Sequence, residues 1–175
     1  MILVGGLVPA LIFIPKLNYF PNLIPLTTTW QIPSLLLCSM IFGPKSAVIA
    51  SIAYLTIGLV YLPIFHGGGS IGYLLTPEFG YLAGFIPASL MTGTLTARTK
   101  KNNLIGLTFA AMAGVAIIQF IGIINIVVGA INSRWTQSLY ELMISYSFST
   151  VLSQLILCPA IALIAIVLKK MFFIK

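Results

Sequence analysis

Between Leu104 and Ile131 the chain carries no charged side chain, and the only amides in that stretch are Gln119 and Asn125. A run of this kind has one ordinary solvent, the hydrocarbon core of a bilayer, which a helix crosses with about 20 apolar residues. Composition agrees, with 59% hydrophobic and only 6% charged residues against about 25% charged in soluble domains. In lipid every backbone polar group must be paired within its own helix or in a closed barrel. Runs such as Ala47 to Tyr61 lack the in/out alternation of barrel strands. The expected fold class is therefore all-α, a polytopic membrane protein forming a single integral-membrane domain over residues 1–175.

The net charge of +7 could suggest nucleic acid in a soluble protein, but the positions exclude it. Arg98, Lys100, Lys101, Lys169, Lys170 and Lys175 sit at the ends of apolar segments, the pattern of cytoplasmic membrane-protein loops. Cys38 and Cys158 fall inside apolar segments and read as packing residues. The N-terminal apolar run has no basic stretch before it, so it does not read as a cleavable signal peptide.

Six apolar segments are expected. The first, Met1 to Pro15, is short for a crossing and is expected either to be thinly embedded or to begin upstream. Its Gly6 and Ala10 would share one helix face and allow another helix to approach closely. Lys16 to Ile32 is a loop in which proline spacing forbids a continuous helix. Pro33 opens segment two, which stops at Gly43-Pro44-Lys45. Segment three runs from Ser46 to Leu62, and a glycine-rich loop follows. Segment four extends from Pro77 to about Ala97, segment five from Leu104 to about Ile131, and segment six from about Leu139 to Leu168.

Six crossings place both termini on one side, and the positive-inside bias makes that side the cytoplasm. Only Lys16 and Arg134 among the cations then lie outside, with both carboxylates, Glu78 and Glu141. The three polar loops, Lys16–Ile32, Pro63–Thr76 and Asn132–Ser138, all face outward, so a binding site is expected there.

Chemistry for catalysis is nearly absent. Two carboxylates and one histidine cannot supply an ordinary metal site, and His66 has no acid near it in sequence to make it a general base. Gly67-Gly68-Gly69 is followed by no lysine and opens no helix, which rejects a nucleotide-binding loop. No enzyme, metal or cofactor is expected. Neutral polar and aromatic groups near the outer helix ends remain, among them Thr29, Trp30, Gln31, Tyr73, Tyr81, Asn125 and Gln154. Apolar walls with a few placed donors and acceptors suit a small neutral or amphipathic ligand. Single aromatic residues also serve as interfacial belts. An amide inside an apolar helix, as at Gln119 and Gln154, needs a partner, and interhelical hydrogen bonding is its other use.

The motifs Thr29-Trp30-Gln31, Phe42-Gly43-Pro44-Lys45, Tyr54-Leu55-Thr56-Ile57-Gly58-Leu59, Leu62-Pro63-Ile64-Phe65 with Gly67-Gly68-Gly69, and Thr76-Pro77-Glu78-Phe79-Gly80-Tyr81-Leu82-Ala83-Gly84-Phe85 together resemble the BioY family. These are the biotin-binding S components of energy-coupling-factor transporters. The resemblance covers nearly the whole chain. It implies a six-helix S-component bundle in a bacterial-type cytoplasmic membrane. Biotin would be held near the outer face, with the first and third loops closing over it. The implied partners are a transmembrane coupling protein, contacted through small residues on the first helix (here Gly6 and Ala10), and two cytoplasmic ATPases. From the residues and the resemblance together, the expected ligand set is Thr29, Trp30, Gln31, Gly67, Gly68, Gly69, Tyr73, Tyr81, Asn125 and Gln154, with Arg134 as a replacement for a family cation.

The chain departs from the family pattern at three positions. Where the last helix commonly carries an Asp and, three residues on, a Lys, this sequence has Gln154 and Leu157, and Leu82 stands where some members have Arg. An amide at 154 can still donate to and accept from biotin's ureido ring. The carboxylate of biotin is left to Arg134, to the Gly67–Gly69 backbone amides, or to solvent. Two other readings are an S component for a different vitamin-like molecule and a non-transporting membrane scaffold.

Overall fold

In the computed structural model, which describes residues 9–14, 22–62, 64–65, 70–99 and 103–171, Gly43 is the sharpest feature of the backbone. It holds φ 82° and ψ 173° inside the otherwise helical run α1 (Gln31–Val60). Nothing lies within 4 Å of where a side chain would begin, so glycine is needed there for conformation rather than for space. Pro44 follows and supplies no backbone N–H to the preceding turn. The chain folds back at this point, because the Gln31 side chain donates to the Tyr54 hydroxyl at 2.5 Å. In a straight helix those residues would lie about 35 Å apart. Segments two and three are therefore the two arms of α1, residues 31–42 and 44–60.

Beyond α1 come a 3₁₀ turn (Ile71–Leu75), the short α2 (Phe79–Ala83), α3 (Phe85–Arg98), α4 (Leu104–Ile131), α5 (Leu139–Met143), a π-helical turn (Ile144–Phe148) and α6 (Ser149–Met171). The bounds of α4 are those expected for segment five, and its start is set by Asn103, whose side chain accepts from Gly106 N at 3.3 Å. Ser138 and Glu141 form a reciprocal capping box at the start of α5. Three of these runs, Gln31–Val60, Leu104–Ile131 and Leu139–Met171, are long and apolar enough to cross a membrane, although the first reaches that length only as the sum of two folded-back arms.

The first segment differs from expectation. Its described part is a strand, β1 (Pro9–Ile14), paired antiparallel with β2 (Asn22–Thr29), Leu11 opposite Pro25 and Ile12 opposite Ile24. Ala10 thus lies in a strand and not on a helix face, and Gly6 lies outside the described residues. Prolines at 9 and 15 leave too few residues between them for a helix. The Leu-Ile-Phe-Ile run between them favours extended pairing, and the pairing is irregular next to Pro9, as a residue without an N–H requires. The other five expected segments are helical.

Close packing is built on small residues. A Cβ on Gly84 would lie 3.0 Å from Ile118 Cα, and one on Gly114 would lie 2.2 Å from Thr92 Oγ1, so α2–α3 and α4 approach nearly backbone to backbone. The core lies where these helices meet α1 and α6, around Leu35, Leu36, Met40, Phe85, Ala88, Ala111, Ile118, Cys158 and Ala165. Phe42, Ile49, Phe109, Phe120, Phe148 and Leu152 point outward and are each more than 60% exposed. An apolar exterior of that extent fits lipid and not water.

Candidate functional site

Following the helices end to end puts Gln31, Tyr54, the 3₁₀ turn, Glu78, Tyr81, Asn125, Tyr146 and Ser147 at one end of the bundle. The Gly43 corner, Lys45, Arg98, Lys169 and Lys170 lie at the other. Each polar group at the first end is placed by an identifiable local device. Gln31 begins α1 and is buried against Tyr54. The Tyr54 hydroxyl in turn donates to the Ile64 carbonyl at 3.3 Å, tying the second arm of α1 to the segment that carries the glycine run.

Phe65 is the deepest described residue of that segment, 1% exposed. Its ring lies edge-on to Tyr54 at 5.4 Å and tilted against Tyr73 at 4.8 Å, while Phe85 stacks on Tyr54 from below. A side chain on Gly58 would occupy the place of the Phe65 ring. Tyr73 donates to the Glu78 carboxylate. Burial first, and then that bond, hold the Tyr73 phenol well above its ordinary range, so it remains a donor at working pH. Tyr146 reaches the same carboxylate.

Asn125, on α4, donates to the carbonyls of Thr76 and Pro77 at 3.3 and 3.1 Å, which fixes the approach to Glu78. Tyr81 lies flat over Gly122, where any Cβ would meet its ring at 2.3 Å, and its hydroxyl is 2.5 Å from Ser147 Oγ. Tyr146 and Ser147 belong to the π-helical turn, a local unwinding frequent at functional positions. One turn further in, Gln119 Nε2 donates to Gln154 Oε1 at 3.0 Å.

The structure thus brings together Gln31, Tyr73, Tyr81 and Asn125 from the sequence-derived set, with Gln154 one layer below. Trp30 is exposed at the start of α1 and Arg134 is exposed after α4, the latter beside Trp135, whose indole donates to Ile126 O at 3.0 Å. Thr29 ends β2, and Gly67, Gly68 and Gly69 lie outside the described residues. Tyr54, Phe65 and Glu78 were not in the set. Their signal was available only as membership in the motifs around them, because nothing in sequence spacing links residue 54 to 31 or 73 to 146. Among the described residues no group of three or more His, Cys, Asp or Glu side chains could hold a metal ion.

Leu82 and Leu157, at positions where the resemblance would place cations, are buried in the apolar core. What the end of the bundle offers is aromatic faces, amides, hydroxyls and one carboxylate, suited to a small uncharged ring system with polar edges.

Known proteins share this architecture. A crystal structure of the S-component for biotin from an ECF-type ABC transporter superposes with a TM-score of 0.71 over 97% of this chain and 85% of that one, at 23% identity, a likeness of fold. A probable biotin transporter BioY from Lysinibacillus sphaericus is 41% identical over 87 residues, which span 45% of this chain and 44% of that protein. The biotin transporter BioY of Thermotoga maritima is 30% identical over 122 residues, 68% of this chain and 69% of its own length. The profile of the BioY family matches residues 1–173. Nearly the whole chain is covered by that match, and it is a membrane protein belonging to the BioY family.

Proposed function

We propose that this chain captures biotin for uptake across a bacterial-type cytoplasmic membrane, acting as the S component of an energy-coupling-factor transporter, a binding subunit and not an enzyme. The match to the BioY family over residues 1–173 carries the reading, and the biotin transporters among its relatives support it. The site is the polar and aromatic end of the bundle, formed by Gln31, Tyr73, Tyr81, Asn125 and Gln154 and closed by the first and third loops with Thr29, Trp30 and Gly67–Gly69. That end faces outward. The opposite end, with Lys45, Arg98, Lys169 and Lys170, faces the cytoplasm by the positive-inside rule, whereas Pro9, the first described residue, pairs with Thr29 beside the outer end, against the cytoplasmic N-terminus expected from six crossings. The partners that go with this reading are a transmembrane coupling protein and cytoplasmic ATPases, in keeping with the ECF-type S-component whose fold it shares.

Biotin binding to the purified protein in nanodiscs tests this directly. Saturable binding is expected, and a well-folded protein that takes up no biotin would remove the assignment. With leucine at 82 and 157, Arg134 is the cation left at this end of the bundle among the described residues, and we assign it the ligand carboxylate. Arg134→Ala is expected to weaken biotin by roughly tenfold, the scale of a hydrogen bond to a charged group, while leaving biotin methyl ester unchanged. Equal losses for acid and ester would show that Arg134 does not read the carboxylate.

A further inference from the structure

The buried pair Gln119 and Gln154 has one function left over. Both side chains are more than nine-tenths buried. The Gln119 nitrogen donates to Gln154 Oε1 at 3.0 Å and lies 3.5 Å from Thr150 Oγ1. The Thr150 hydroxyl directs its own hydrogen to the Tyr146 and Ser147 carbonyls, so it can only accept from Gln119. This fixes which end of the Gln119 amide faces α6. The other end, Oε1, is buried without a hydrogen-bond partner.

A buried acceptor left unpaired is costly, and neither the bilayer nor the adjacent helices can serve it. On its outer flank Gln119 borders a groove of about 460 Å³ with Phe109, Met112, Ala113, Val115, Ala116, Val151 and Leu155, none of which has a side-chain donor. Lipid chains have none either. One turn up on α4 is Gly122, against which Tyr81 packs, and Tyr81 in turn bonds Ser147; these residues belong to the site described above. With Gln154 Oε1 already engaged, the pair presents one free acceptor on Gln119 and the amide hydrogens of Gln154.

We infer that Gln119 is a specificity-determining residue whose Oε1 accepts an N–H from a cyclic urea, with Gln154 donating to the urea carbonyl. The inference rests on the biotin reading and adds to it a residue on α4. An N–H beside a carbonyl in one rigid ring is the ligand edge that matches an acceptor beside a donor. A ligand lacking the N–H would leave the Gln119 oxygen without a hydrogen bond, which is how a hydrogen-bonding site rejects an analogue.

The test compares wild type with Gln119→Leu and Gln119→Glu, using biotin and biotin methylated on a ureido nitrogen, in nanodiscs, with thermal melting of each variant to confirm folding. Gln119→Leu is expected to bind biotin about tenfold more weakly. Methylation is expected to cost wild type a similar factor but Gln119→Leu little, since the interaction is already gone. Gln119→Glu, which keeps an acceptor, should retain discrimination against the methylated ligand. Biotin affinity unchanged in a folded Gln119→Leu, or losses from mutation and methylation that simply multiply, would overturn the assignment to Gln119 while leaving biotin as the ligand. Absence of biotin binding by wild type would instead overturn the parent reading, and this inference with it.

Discussion

Gly93→Ala is expected to destabilise the protein by about 3 kcal/mol, the upper range for forcing atoms into a packed interior. A Cβ at this position would lie 2.6 Å from Pro44 Cα and 2.7 Å from Pro44 N. These are backbone atoms, so no side-chain rotation relieves the overlap. They also sit directly beside Gly43, at the one point where α1 reverses, so moving them would disturb both of its arms. Their alignment is what brings Gln31 to Tyr54, and a shift at the corner would therefore reach the ligand end of the bundle. Denaturant or thermal unfolding in detergent should show the loss, beside Leu90→Ala as a control. Leu90 is half exposed on the same helix, and its truncation should cost much less than a core substitution. Equal stability for Gly93→Ala and wild type would mean that the corner is not packed as described.

Phe65→Ala should cost about 3–5 kcal/mol in the closure of its loop, the usual range for removing a buried phenylalanine. It should also accelerate biotin release. The ring is 1% exposed, and it is held between Tyr54 and Tyr73 over Gly58. It is thus the buried anchor next to the glycine run assigned to the lid. Its loss removes the packing that holds Tyr73 toward Glu78 as well as the anchor itself. Phe65→Leu keeps part of the volume and should recover part of the effect. Dissociation rates of biotin from the three proteins give the comparison. A Phe65→Ala protein that melts lower but releases biotin at the wild-type rate would separate the anchor from the lid.

Both predictions depend on long-range contacts, and that is where sequence and structure divide. The uncharged run from Leu104 to Ile131 could be read as a helix because lipid leaves a backbone few alternatives, and the capping asparagine marks its start. Gly43-Pro44 could be read as a stop because each residue acts on its own backbone. The first segment was misread because the length and hydrophobicity that suggest a crossing also suit a strand, and the prolines at 9 and 15, together with a pairing partner at Asn22–Thr29, decided between them. The motifs named Gln31, Tyr73, Tyr81 and Asn125, which the fold gathers at one end of the bundle. They could not show that Gln31 meets Tyr54, that Glu78 gathers Tyr73 and Tyr146, or that Gln119 spends its nitrogen on Gln154 and leaves its oxygen unpaired.

The sequence by itself determined the solvent, the helix periods, the corner at Gly43 and the family, all of which follow from local backbone chemistry and residue order. Only the tertiary structure decided which polar groups pair and which are left over, Gln119 Oε1 and the hydroxyls of Thr92 and Thr96 among the described residues. A hydrogen bond in a low-dielectric interior depends on the meeting of atoms far apart in the chain, and the spacing of residues along one helix carries no record of what faces them from the next.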